Sequence, residues 1–219
     1  MSQSTAWAFD WASFRAAPVV GILRGFTLEQ ALRIAEAVTG AGLTTLEVSL
    51  NTPDATAQIR ELSRLAGGKA NIGAGTVTTV AQLDEALRAG ASFIVTPVLA
   101  EDVIRACKER GVVVFPGAFT PTEVHRAWTL GANLVKIFPA QRLGPAYLKD
   151  LKAPLPEVRL LPTGGITLES IPAYRAAGAD GFGVGSPLFE PARIAAGEWE
   201  WLRDRAREFR LAARGTVEV

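Results

Sequence analysis

Gly131-Ala132-Asn133-Leu134-Val135-Lys136-Ile137-Phe138-Pro139 decides how this chain is read. A glycine closes a helical pattern, an apolar run follows at once, and a proline ends it: a helix handing over to a short buried strand. The same junction recurs with Gly42 before Thr45 to Leu50, Gly90 before Phe93 to Thr96, Gly111 before Val112 to Phe115, and Gly178 before Gly181 to Val184. Successive glycines stand 20 or 21 residues apart, or a little over twice that, which is the period of a strand-helix repeat. Val19 to Arg24, Asn71 to Gly75 and Arg159 to Pro162 bring the strand candidates to eight. Helix starts lie between them: Thr27 with Gln30 and Thr120 with Glu123 in capping-box spacing, Pro53 as a first-turn residue, and Thr167 ahead of Pro172.

Eight alternations in about 200 residues predict an α/β fold, a single (β/α)8 barrel spanning residues 1–219. The competing architecture is an open doubly wound sheet. Closure is favoured because Arg24, Asn51, Thr76, Thr96 with Pro97, Pro116, Pro139, Thr163 and Ser186 follow the apolar part of their strands at one end. A short helical extension within residues 1–17, with Trp7, Trp11 and Phe14 on one side, is expected to cap the barrel bottom. A C-terminal helix over 190–213 places Trp199, Leu202, Ala206, Phe209 and Ala213 at helical spacing for the barrel wall.

Lys136 is a charge inside an apolar strand, and burying a charge is unfavourable unless something is gained. To be half neutral near pH 7 a lysine must fall about 3.4 units, roughly 4.6 kcal/mol of differential stabilisation. Desolvation in a strand core supplies effects of that size, and a neutral lysine amine attacks carbonyls. In the second strand, Leu46, Val48 and Leu50 alternate with Thr45, Glu47 and Ser49, so Glu47 faces inward as Lys136 does from the sixth strand. The pair reads either as a structural ion pair or as a nucleophile with a general acid/base.

Two glycine segments complete the rim: Thr163-Gly164-Gly165-Ile166 after the seventh strand and Gly183-Val184-Gly185-Ser186 after the eighth. Loops at those two places are the usual phosphate cradle of a barrel. Arg24 ends the first strand and suits a carboxylate or phosphate, and Gly73-Ala74-Gly75-Thr76 leaves room for backbone and one hydroxyl to approach a ligand. His125 and Cys107 sit in helical patterns and read as wall residues.

The chain carries a net charge of +1 with signs interspersed, so composition offers no footprint for nucleic acid or an anionic membrane. One histidine and one cysteine exclude a multi-histidine centre, a cysteine-rich metal site and an internal disulfide. Asp10 and Arg15 interrupt the start of the chain, and no apolar run of membrane length follows, so a cytoplasmic protein is expected.

These residues resemble the pyruvate-dependent class I aldolases that cleave 2-keto-3-deoxy-6-phospho-gluconate and -galactonate, the KDPG and KDPGal aldolase family. The resemblance runs from Pro18 to Phe189 and rests on Gly21 to Gly25, Leu46 to Pro53, Ile72 to Val77, Ile94 to Pro97, Pro116-Gly117, Val135 to Pro139 and Gly164 to Ile166. It implies Lys136 as the Schiff-base lysine and Glu47 as the proton-shuttling carboxylate. It also implies Arg24, Thr76, Pro97, Phe138, Thr163, Gly164, Gly165, Gly185 and Ser186 as substrate contacts, no metal or cofactor, and a homotrimer acting on a phosphorylated keto acid and pyruvate. Asn51 stands where KDPG aldolases usually have arginine, and Ile137 to Pro139 followed by Gly144 to Tyr147 is similar to the KDPGal branch. Thr163 is instead the KDPG-like choice. A phosphosugar epimerase or decarboxylase on the same barrel, and a non-catalytic phospholigand-binding or assembly module, are the alternatives.

Overall fold

The computed structural model describes residues 8–214, so Trp7 lies outside the described residues. Strands β1 (Val19–Leu23), β2 (Thr45–Ser49), β3 (Asn71–Gly75), β4 (Phe93–Val95) and β5 (Val113–Phe115) form one parallel ladder with β9 (Phe182–Val184), in the order β5-β4-β3-β2-β1-β9. A second parallel ladder joins β6 (Gly117–Ala118), β7 (Val135–Ile137) and β8 (Leu160–Pro162). The two close into a (β/α)8 barrel: Thr163 bridges Gly183 on one side, and Pro116 links β5 directly to β6 on the other. β5 and β6 therefore share the fifth barrel position, and β7 holds the sixth.

Pro116 had the look of a rim residue, yet it sits inside the fifth strand and divides it. Proline has no N–H to give a ladder. Beyond it the pairing with the fourth strand is continued by a side chain, as the Gly117 amide donates to Thr96 Oγ1 at 3.2 Å.

Outward faces of the strands meet the helices. Leu46, Val48, Ile94, Val135 and Ile137 are wholly buried there with Ile34, Val38, Ile59 and Leu83 from α2 (Leu28–Gly40), α3 (Ala55–Ala66) and α4 (Val80–Arg88). Both capping boxes form, at Thr27 with Gln30 and at Thr120 with Glu123. Pro172 falls in the first turn of α8 (Ile171–Ala176), where a missing N–H costs nothing. Pro53 lies ahead of α3, which opens after Asp54 in the left-handed conformation (φ 56°).

Inside the lower barrel, Phe14 of α1 (Trp11–Ala16) packs with Val20, Phe93, Val95, Phe115, Leu134 and Leu161. Asp10 caps α1 through the amides of Ala12 and Ser13. Asn71, the first residue of β3, holds that cap in place, accepting from the Asp10 amide at 2.7 Å and donating to its carbonyl at 3.1 Å. At the other end, the stretch 190–213 holds two helices instead of one, α9 (Pro191–Ala195) and α10 (Trp199–Arg214). Gly197, at φ 72°, turns the chain between them. No described helix is long and apolar enough to cross a membrane.

Candidate active site

The inward face of β2 carries Thr45, Glu47 and Ser49, and the register pairs Glu47 with Gly73 and Ser49 with Gly75. A Cβ at Gly73 would lie 2.4 Å from the Phe93 ring, and one at Gly75 would lie 1.7 Å from Glu47 Oε1. These glycines therefore give room to neighbouring side chains; they belong to β3 and do not form a ligand loop. Glu47 is 1% exposed, and its Oε1 has no hydrogen-bond partner. Burial pushes its carboxyl above the usual carboxylate range, against the opposing pull of the Lys136 and Arg24 charges.

Lys136 reaches into the same space from β7 and is 4% exposed. Burial pulls its amine below the ordinary lysine value; Glu47 resists that fall and Arg24 adds to it. Among the described residues no ion pair within 4.0 Å joins Lys136 to Glu47. Two buried groups that each favour the uncharged form, separated by more than a contact, can exchange protons through a reacting molecule without locking into a salt bridge. The aromatic face of Phe138 lies 5.2 Å from Lys136 Nζ.

Above them the rim is tied together by hydroxyls. Arg24 donates through Nε and Nη2 to Ser49 Oγ, both at 3.3 Å, and Ser49 Oγ pairs with Thr76 Oγ1 at 3.1 Å. Thr76 holds φ at 61°, a left-handed conformation that a β-branched residue adopts only under strain of about 1–3 kcal/mol. The loops that carry Arg24 and Asn51 are clamped from outside: Gln58 donates to the carbonyls of Phe26 and Pro53, and Thr52 accepts from the Gly25 amide. Gln58 and Thr52 escaped the sequence reading because their role depends on two loops that are distant in sequence. Ser49 was visible as an inward position but carried no signal of its own.

A cavity of about 290 Å³ opens at the carboxyl ends of the strands. Of the expected site residues, Arg24, Lys136, Phe138, Thr163, Gly164, Gly165, Gly185 and Ser186 line it. Glu47, Thr76 and Pro97 do not: Glu47 is buried against Gly75, Thr76 is paired with Ser49, and the Pro97 carbonyl is packed against Gly117. Ile22, Phe26, Pro187, Phe189 and Pro191 add an apolar wall that sequence reasoning did not assign to the site. Gly164 (φ 92°) and Gly165 (φ 71°) both need glycine, and among the described residues their amides donate to no backbone acceptor. In the other loop Gly183 lies within β9 and makes room for the Thr163 side chain, so Gly185 alone faces open space. Thr163 is 3% exposed, and its hydroxyl donates to the Leu161 carbonyl at 3.2 Å.

A barrel that sets one desolvated amine in the wall of a glycine-lined cavity, with a desolvated carboxyl buried in the same interior, has the parts of an enzyme of carbonyl chemistry. The model of the KDPG and KHG aldolases matches residues 12–204, and the chain belongs to that family. It is similar to the 2-dehydro-3-deoxy-6-phosphogalactonate aldolase of Escherichia coli K12, 41% identical over 173 residues that cover 78% of this chain and 84% of the relative. It is 34% identical to the 2-dehydro-3-deoxy-phosphogluconate aldolase of Pseudomonas aeruginosa, over 89% of this chain and 87% of the relative. A native KDPGal structure superposes with a TM-score of 0.84 at 38% identity, covering 90% of this chain and 95% of that one. KDPG aldolase from Legionella pneumophila, with pyruvate captured as a covalent carbinolamine, gives 0.84 at 30% identity over 91% and 97% of the two chains.

Proposed function

We propose that this aldolase cleaves a 2-keto-3-deoxy-6-phospho-aldonate with Lys136 as the Schiff-base nucleophile and Glu47 as the proton carrier. The observation that carries the reading is the dry lysine, 4% exposed yet lining the cavity, with an amine drawn toward its neutral, nucleophilic form. The Nζ lone pair attacks the C2 ketone, and loss of water leaves an iminium that draws electrons out of the C3–C4 bond. Glu47, protonated at rest, gives its proton to the departing C2 oxygen, and the resulting carboxylate, directly or through one water, accepts the C4 hydroxyl proton as that bond breaks and glyceraldehyde 3-phosphate departs. The remaining enamine is protonated at C3 and hydrolysed to pyruvate, freeing the amine. Positioned proton transfer of this kind contributes about 10²–10⁴ in rate.

Gly164, Gly165, Gly185 and Ser186 form the phosphate end of this assignment, and Arg24, braced through Ser49 by Thr76, the carboxylate end. No metal or cofactor takes part. Asn51 and the higher identity to the galactonate relative favour 2-keto-3-deoxy-6-phosphogalactonate as the better substrate, while the Thr163 hydroxyl keeps the gluconate epimer within reach. The same reading makes the chain a cytoplasmic homotrimer, which light scattering tests. Borohydride with pyruvate should label Lys136 in the parent protein and leave Lys136→Arg unlabelled; an adduct that persists in the variant would move the imine to another lysine. A coupled pyruvate-release assay with both C4 epimers, with and without chelator, tests reaction class, stereochemistry and metal need together.

A further inference from the structure

We propose that the face of the Phe138 ring helps to stabilise the positive charge that arises at Lys136 Nζ when the amine condenses with a keto acid. The proposal rests on the Schiff-base reading above and adds to it a residue that acts on charge and not only on shape.

Nζ stands over the ring, 5.2 Å from its centroid, within the range where an aromatic face attracts a cation. Phe138 is 37% exposed and lines the cavity, so its ring belongs to the surface of the site and not to the packed core. Its ring is held by Gly164, where an added Cβ would lie 3.3 Å from Cδ2 and Cε2. The charged groups that face Nζ are Glu47 from β2 and Arg24 from beyond β1; the adjoining strand positions supply Gly117 and Leu161, and the cavity wall Thr163, all uncharged. Arg24 opposes a cation at Nζ, and Glu47 favours one only after giving up the proton that burial helps it keep. The ring face favours the iminium without having to ionise, and in a desolvated site such an attraction is stronger than at the surface.

The balance of the step fixes where the effect should show. Starting from the neutral amine, the N–C2 bond forms, the C2–O bond breaks, the oxygen leaves as water, and one proton is taken up from Glu47, which solvent then reprotonates, so Nζ goes from uncharged to singly positive. From the ammonium the same product forms with no net change of charge, and the contribution of the ring cancels.

The test replaces Phe138 by leucine and by phenylalanines carrying one, two and three ring fluorines, which keep the shape and drain the face of negative charge. The readout is the pyruvate concentration that gives half-maximal borohydride trapping at Lys136, by intact mass, across pH. Phe138→Leu should need about tenfold more pyruvate, and the fluorinated series should weaken trapping step by step. The effect should fade toward acid pH, where the free amine is already protonated. A trifluorinated ring that traps like the parent, or a shift that is the same at every pH, would overturn the proposal and leave Phe138 a steric wall. A parent protein that yields no adduct at Lys136 would overturn both this proposal and the Schiff-base reading, whereas normal trapping with no fluorine dependence would overturn this one alone.

Discussion

The lower and upper halves of the barrel interior are built from the same strands and do opposite things. Below, Phe115 is ringed by Phe9, Trp11, Phe14 and Phe93 at centroid distances of 5.5–6.3 Å, two of them edge-on and two tilted, with no charged group among them. Above, one residue pair further along, the same inward faces carry Lys136, the unpartnered Glu47 and the strained Thr76. Leu134 and Lys136 point the same way from one strand, yet the first supplies packing and the second carries a desolvation cost. The difference teaches that the stability of this fold is concentrated beneath its chemistry, where aromatic contacts offset charged groups held out of water.

The largest expected effect comes from removing the upper charge outright. Lys136→Met should take turnover to the assay floor while raising Tm by about 2–4 °C, the equivalent of about 1 kcal/mol, since an apolar chain of similar length fills a dry site better than an amine. Glu47 does not then become an orphaned charge, because burial already favours its protonated form. Thermal unfolding across pH sharpens the point. The unfolded lysine keeps its proton up to about 10.5 while the folded one loses it lower, so the parent gains stability as pH rises through that window. Glu47 acts in the opposite direction, costing stability as pH climbs above 4.5, where the unfolded carboxyl ionises first. The stability advantage of Lys136→Met should therefore shrink as pH rises; an advantage that grows toward alkaline pH would contradict the lowered amine.

Phe115→Ala attacks the lower half. It should cost about 3–5 kcal/mol in urea unfolding while kcat per trapped active site stays unchanged. A matching loss of kcat would erase the division between the two halves. Gly75→Ala strikes the seam, where the new Cβ would meet Glu47 Oε1 and push the carboxyl aside. Cleavage should fall about a hundredfold, as for a catalytic group displaced by about 1 Å, while pyruvate trapping at Lys136 persists. Loss of trapping together with cleavage would mean that the strand, and not the carboxyl, had moved.

The strand-helix alternation and the inward direction of Glu47 and Lys136 were legible because both are periodic: a glycine closes each helix, and every second strand residue faces one side. What was not legible is what one strand sends into the space left by another. Gly73 and Gly75 read as a ligand-approach motif, and only the register reveals that Phe93 and Glu47 fill the volume they leave. Gly183 was hidden in the same way by Thr163. Pro116 looked like a strand end because local sequence cannot tell a ladder that stops from one that a threonine hydroxyl carries on. The break at Gly197 was masked by apolar residues that keep helical spacing through the second of the two helices alone.

Thr163 is where the two halves meet just past β8, two residues beyond Leu161 of the lower layer, and it carries the smallest and most specific prediction. Its hydroxyl gives its proton to the Leu161 carbonyl, which leaves the oxygen's lone pairs as the feature it presents to the cavity. A substrate C4 hydroxyl placed to donate to that oxygen gains one hydrogen bond, and the opposite epimer does not. Thr163→Val keeps the outline and removes the acceptor, so the favoured epimer should lose about threefold to tenfold in kcat/KM, the worth of one hydrogen bond of about 1 kcal/mol. The other epimer should be unaffected, narrowing the ratio between them in paired pyruvate-release assays. Equal losses for both epimers would show that Thr163 serves packing against Gly183 and the lower layer, and that the choice at C4 is made elsewhere on the rim.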